Sequence, residues 1–297
     1  MLITNANLEA LRVGFKTAFQ AGLGMAPQMR ERISTRIDST HMEEKYGWLG
    51  ELPDVREWVG ERVVHSLKEH DYAIREKPWE LTLGVPRRNI ETDNLGTFNA
   101  RFTAFGRSTG SKWETLVWGA LKAGFTTECY DGQFYFDTDH PVIAEDGSMT
   151  TVSNSGGGSG TNWFLIDTNH FLLPVIHQVG KDFNFVAKDN PTDENVFNRA
   201  EFVYGAEGYA NVGYSLWQIA YGSKQTLDAS AYATARAAMT GMKGDYGRPL
   251  GLMPNLLAVP PALESAGRKI LNSEYGTGGV TNEWKGTAEL LVVPWLA

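Results

Sequence analysis

The chain has 297 residues, 42% of them hydrophobic and 21% charged, with a formal net charge of −8. That length and balance suit one large or two closely joined globular domains, and the acidic excess argues against a dedicated basic nucleic-acid-binding surface. The single cysteine, Cys129, excludes an intrachain disulfide and fits a reducing compartment; the longest apolar runs, such as 290–294, are too short to span a bilayer.

Residues 1–19, MLITNANLEALRVGFKTAF, read as the start of a helix, with Asn5 or Asn7 as the cap before Leu8, Leu11, Val13 and Phe15. A basic leader and a small-residue cleavage site are both missing, so this is not a secretory signal. Gly22 and Gly24 mark the exit of that helix. Around Ile33 and Ile37 the chain is expected to be extended, and 59–68 suits either a strand or a short helix. The alternation of Trp79, Leu81, Leu83 and Val85 predicts a strand within 79–95. A long helix follows, with Phe98, Phe102, Phe105, Trp113, Leu116, Val117, Ala120 and Leu121 at three- and four-residue spacing up to Gly124. Gly106 and Gly110 are expected to bend or thin it.

Beyond that helix the composition changes. TVSNSGGGSGT at 151–161 reads as a flexible loop. Residues 163–179 and 201–221 read as strands, and alanine-rich 226–242 as a helix. A short buried strand at 256–259 precedes Pro260 and Pro261, which open a helix running to Asn272; a last strand spans 289–293. The class is α+β with several sheets and without the regular βα alternation of a doubly wound enzyme.

Candidate chemistry is sparse. Asp137, Asp139 and His140 offer two carboxylates and an imidazole, the material of a hydrolytic metal site, but no second cluster at ligand spacing supports them, and Asp before His-Pro is also turn chemistry. His65 and His70 are five apart and do not share a helical face. The run from Gly106 to Lys112 has one residue too few between its glycines for a phosphate loop, and Trp113 stands where the magnesium-binding hydroxyl belongs. Nucleophile signatures are absent. No catalytic residue, metal or cofactor is expected.

The densest pattern is YGWLGELPDVREWVGER at 46–62, with three glycines, two tryptophans, a proline and compensating charges. Large flat aromatics beside glycines suit a surface that another chain covers. This block resembles a segment of the major head proteins of Mu-like tailed phages. Other blocks of that family are matched in the same order: IETDNLG at 90–96, then Gly124-Phe125 with Tyr130-Asp131-Gly132-Gln133, Phe136 and His140-Pro141. Further on come WFLID at 163–167, Asp193 with Val196-Phe197 and Tyr204-Gly205, Val259-Pro260-Pro261 with Leu263-Glu264, and Asn282-Glu283 with Lys285-Gly286. The glycine-rich loop at 155–160 has no counterpart in the family pattern.

The resemblance implies the tailed-phage major capsid fold and the corresponding role: a head protein that self-assembles through hexamers and pentamers into an icosahedral shell around packaged double-stranded DNA. It implies an N-terminal arm at 1–33, an E-loop within 34–80, a P-domain from 81–126 and 163–222 with a long spine helix, and an A-domain from 127–162 and 223–297. The P-domain strands then stand in permuted order, ahead of the last A-domain segment. Trp48 and Trp58 are the expected interface anchors, the alternative being that both pack within their own subunit. Arg56, Glu57, Glu61 and Arg62 are expected to pair across subunits and set register more than affinity. Implied partners are other copies of the chain, a separate scaffolding protein, a portal and a decoration protein, with DNA enclosed without sequence-specific binding and no membrane. The implied location is the virion capsid, assembled in the host bacterial cytoplasm. Two alternatives stand beside this reading: an encapsulin-like nanocompartment shell, which gene neighbours would distinguish, and a metal-dependent hydrolase centred on Asp137, Asp139 and His140.

Overall fold

In a computed structural model the chain is described over residues 5–47, 49, 71–92, 97–276 and 279–297. Helix α1 (Asn5–Gly24) leads to strand β1 (Ser34–Asp38), the short strands β2 (Glu43–Lys45) and β3 (Ala73–Arg75), and the longer β4 (Lys77–Pro86). A single turn, α2 (Arg87–Glu91), precedes the long helix α3 (Thr97–Ala123). Then come β5 (His140–Ile143), β6 (Met149–Val152), β7 (Ser155–Gly158), β8 (Trp163–Ile166) and β9 (Val175–Lys188). They are followed by α4 (Glu194–Arg199), β10 (Glu201–Tyr214), β11 (Ala220–Lys224), α5 (Ala229–Thr240), β12 (Leu256–Val259), α6 (Glu264–Leu271) and β13 (Glu289–Val292).

The two longest strands, β9 and β10, form an antiparallel hairpin capped by α4, and β4 extends it antiparallel along ten residues of β10. On the other side β1 adds in parallel to β9, giving the order β1-β9-β10-β4. One face of this sheet is apolar because the alternating Phe185, Phe202, Tyr204, Ala206 and Val85 all point to it. Helices α1 and α3 cover that face with Leu8, Phe15, Phe19, Phe98, Phe102 and Phe105. Phe15 stacks on Phe102 at 4.2 Å, and Trp113 on Phe183 at 4.3 Å.

The second sheet has the order β13-β12-β8-β11-β7. Its central strands are buried on both faces, which their unbroken apolar sequences WFLI and LLAV require. Phe164, Ile166, Leu256 and Ala258 share a core with Val117, Trp118 and Leu121 of α3. Trp163, Leu165, Leu257 and Val259 face Tyr232 and Met239 of α5 and Ile270 of α6. Asp228 caps α5, accepting from the Ala231 amide at 2.8 Å. The C-terminal half of α3 therefore sits between the two sheets and ties them into one core.

Several expectations change. Gly22 lies inside α1 rather than at its exit, while α3 runs through Gly106 and Gly110 without ending, as expected. They are contact points between the helices: a Cβ on Gly106 would lie 2.0 Å from the Phe19 carbonyl oxygen, and one on Gly22 2.0 Å from that of Thr103. The glycine-rich stretch at 151–161 contains an edge strand, β7, paired in parallel with β11. Gly158, at φ +92°, brings its backbone against that of Lys224, leaving no room for a side chain. Each of the two stretches 163–179 and 201–221 is divided between the sheets: β8 and β11 join the second, β9 and β10 the first. The change of sheet occurs at Pro174 and Ser215, where the Ser215 amide donates to the Pro174 carbonyl at 3.0 Å. The strand or helix expected at 59–68 lies outside the described residues. Among the described residues no helix is long and apolar enough to cross a membrane.

Candidate functional site

The chain on either side of residues 50–70 is held at a fixed base. Strands β2 and β3 pair antiparallel, Glu43 opposite Arg75 and Lys45 opposite Ala73. Above them the Tyr46 amide donates to the Tyr72 carbonyl at 2.7 Å, and Lys45 bonds the exposed Asp71 at 2.8 Å. The base is anchored inward as well. Tyr46, Leu49 and Ile74 are buried in the main core, and the Tyr46 hydroxyl donates to Gln178 Oε1 at 2.9 Å. The Tyr72 hydroxyl accepts from the Tyr214 amide at 2.7 Å. Burial pushes both phenols up to about 12. Trp48, Arg56, Glu57, Trp58, Glu61 and Arg62, the anchor and register residues expected from the sequence, lie outside the described residues.

Four arginines that sequence reading passed over fasten the N-terminal segment. Arg12 of α1 donates to buried Asp189 at the end of β9, through Nε at 3.1 Å and through Nη2. Arg30 gives both its backbone amide (3.0 Å) and its Nη1 (3.0 Å) to the fully buried Glu114 of α3, whose carboxylate also takes the Trp118 indole N–H at 3.0 Å. Arg32 reaches Glu289 of β13 at 2.9 Å, and Arg36 forks onto Asp182 of β9 at 3.0 and 2.7 Å. The Arg36 guanidinium holds the Asp182 carboxyl below its usual range. Buried carboxylates 84 and 177 residues away in sequence leave no local signal.

Asp137 and Asp139 share a hydrogen bond at the surface, but His140 does not join them. The Asp137 carboxylate caps its own turn, accepting from the Phe134 amide at 3.2 Å and the Thr138 amide at 2.7 Å. Asp139 is exposed, its carboxyl pushed up by a hydrogen bond shared with Asp137. His140 turns inward, fully buried, with Nδ1 2.7 Å from Asp131 Oδ2 and Nε2 3.2 Å from Asn154 Oδ1. Its ring stacks on Trp217 at 4.0 Å. Cys129 Sγ lies 3.1 Å from the other Asp131 oxygen. Burial pushes the Asp131 carboxyl up, but the hydrogen bonds from His140 and Cys129 outweigh it and the net shift is downward.

Comparison with known proteins sets this geometry in context. Residues 8–296 match the family described as "Mu-like prophage major head subunit gpT". The chain belongs to the Mu-like major head subunit family. It is 38% identical to the "Mu-like prophage FluMu major head subunit" of Haemophilus influenzae over 293 residues, 95% of each chain. It is 36% identical to the "Major capsid protein" of Escherichia phage Mu, covering all of both chains. Among solved structures, the procapsid of bacteriophage JBD30 aligns with a TM-score of 0.85 and 37% identity over 99% of this chain and 100% of the other. The JBD30 capsid decorated with minor capsid protein trimers aligns at 0.80 and 31% over all of both chains. This head subunit thus has the tailed-phage capsid fold and is a structural protein of an icosahedral virion capsid, not an enzyme. The hydrolase reading built on Asp137, Asp139 and His140 falls with that membership and with the inward turn of His140, which bonds Asp131 and Asn154 instead of joining the two carboxyls.

Proposed function

We propose that this head subunit closes into hexamers and pentamers through heterologous contacts between copies, and that these tile a shell around packaged double-stranded DNA. In this reading α1 and the residues up to Ile33 are the arm, and 50–70 is the tip of the E-loop whose base is β2–β3. The spine helix α3 with the sheet β1-β9-β10-β4 is the P-domain, and the sheet β13-β12-β8-β11-β7 with α5 and α6 is the A-domain. Sheet membership supports moving β8 and β11 from the P-domain, where the sequence blocks put them, to the A-domain. The negative net charge suits a wall that does not adhere to its DNA. Scaffolding and portal proteins act in assembly in the host bacterial cytoplasm. A trimeric minor protein like that on the JBD30 capsid is the expected kind of decoration.

The observation that carries the reading is the loop base. A two-stranded ladder with both flanks pinned into the core fixes where the chain enters and leaves the tryptophan-bearing stretch, which supports a subunit-to-subunit contact there. Trp58→Ala tests it. Removing a buried aromatic anchor costs roughly 2–4 kcal/mol at each interface, and the loss recurs at every copy. Circular dichroism should then show an unchanged subunit, while light scattering and microscopy show free capsomers or monomers in place of shells. Normal shells, or an unfolded monomer, would remove Trp58 from the interface.

A further inference from the structure

The Asp131–His140 contact needs a cation between its two atoms, and the orientation of Asn154 is the reason. The fully buried Asn154 points its Nδ2 at three carbonyl oxygens, those of Tyr135 (2.8 Å), Trp217 (3.1 Å) and Ala220 (3.2 Å). Carbonyls only accept, so the amide cannot be reversed, and its Oδ1 is the atom facing the Asp137 amide at 2.9 Å and His140 Nε2. An amide oxygen also only accepts, so Nε2 carries a hydrogen. On a singly protonated ring Nδ1 is then a bare lone pair, 2.7 Å from a carboxylate oxygen. Two acceptors at that separation repel unless something positive lies between them. A proton satisfies the pair; so does a metal ion.

The surroundings favour a metal of a particular class. Cys129 Sγ, an Asp131 oxygen and His140 Nδ1 all lie within 4.8 Å of one another. The first two are held two residues apart by a tight turn, in which the Cys129 amide donates to the Gln133 carbonyl at 2.8 Å and Gly132 adopts φ +86°. The hydrogen bond from Nε2 to a fixed oxygen is the arrangement that orients metal-binding histidines and fixes their tautomer, and the Trp217 stack holds the ring plane. A mixed sulfur, nitrogen and oxygen set selects zinc or cobalt over calcium or magnesium.

We propose that Cys129, Asp131 and His140 of each subunit bind one zinc-type divalent ion through Sγ, a carboxylate oxygen and Nδ1. Water takes the fourth position, beside the slightly exposed Asp131 side chain. Bonds of about 2.0–2.1 Å to nitrogen and oxygen require those atoms roughly 3.3 Å apart, so Asp131 withdraws by roughly half an ångström from its present contact. Binding releases two protons, one from the buried thiol and one from between Nδ1 and Oδ2. The ion then pins the 129–133 turn to the start of β5, stiffening the segment that follows α3.

Cobalt is the probe. Untagged subunits equilibrated with Co²⁺ at neutral pH and desalted should retain one ion per chain and show the near-ultraviolet absorption of a thiolate–cobalt bond, which added zinc removes. Cys129→Ser should lose the band, and His140→Asn should lower retention by at least about tenfold. Wild-type protein that retains no cobalt and shows no band overturns the proposal and leaves a proton in the cluster; this outcome needs no variant to fold.

Discussion

Gly22 of α1 and Gly106 of α3 face one another's helix at a single crossing: each would drive a Cβ to 2.0 Å from a backbone oxygen of the other helix, Thr103 for Gly22 and Phe19 for Gly106. The two backbones touch with no side chain between them. The packing of Phe15 and Phe19 on Phe102 and Phe105 depends on this close approach.

Gly106→Ala should therefore lose stability, even though alanine is the better helix former. Helix preference favours the change by about 1 kcal/mol, but the added methyl meets backbone that cannot move without displacing all of α1, and overpacking of this kind costs about 1–3 kcal/mol or more. Gly119→Ala, on the same helix with nothing within 4 Å, is the control and should be neutral or stabilising by up to about 1 kcal/mol. Thermal melting of the two variants side by side checks the contrast.

The arm's exit depends on Glu114. Glu114→Ala leaves the mostly buried Arg30 guanidinium without its carboxylate and the Trp118 indole without its acceptor. Breaking a buried pair from one side costs about 3–5 kcal/mol. The expected result is a large drop in the denaturation midpoint, with accelerated proteolysis near residues 25–33. Glu114→Gln, which keeps an acceptor but no charge, should fall between the two.

Mild acid should weaken the subunit through His177. Burial, with the charges of Arg30 and Arg36, lowers this imidazole to about 4. In the unfolded chain it takes up a proton near pH 6.5, in the folded protein only near pH 4, so between these values the unfolded state holds more protons. Stability from this group is thus complete above about pH 6.5 and falls as pH drops toward 4, by about 3 kcal/mol at most. Denaturant unfolding from pH 7 to 4.5 measures the slope, and His177→Gln should flatten it. Asp182, held down by Arg36, adds its own loss only at lower pH, as its carboxylate is protonated.

Where the sequence was informative, the information was local. Strand β12 at Leu256–Val259 follows from an unbroken apolar run before two prolines, and α3 from apolar residues at helical spacing. That the glycines of α3 would not end it was legible, but their role was not, because it lies in a second helix more than eighty residues away. Residues 163–179 looked like one strand because apolar side chains continue through Leu172 and Leu173, while the change of sheet at Pro174 depends on hydrogen bonds to residues near 215. The second half of β9, with Phe183, Phe185 and Ala187 alternating, carried a strand signal that went unread. At the His140 cluster the imidazole was visible in the sequence and its neighbours were not: Asp131, nine residues back, and Asn154, fourteen ahead, meet it only through the fold.

The central claim is that the segment between the β2–β3 strands belongs energetically to the neighbouring subunit. A cryo-electron microscopy map of assembled particles tests it directly. The prediction is that the stretch 50–70 lies across an adjacent subunit, with Trp48 or Trp58 buried against that neighbour. A map in which both tryptophans are covered solely by their own chain would contradict it.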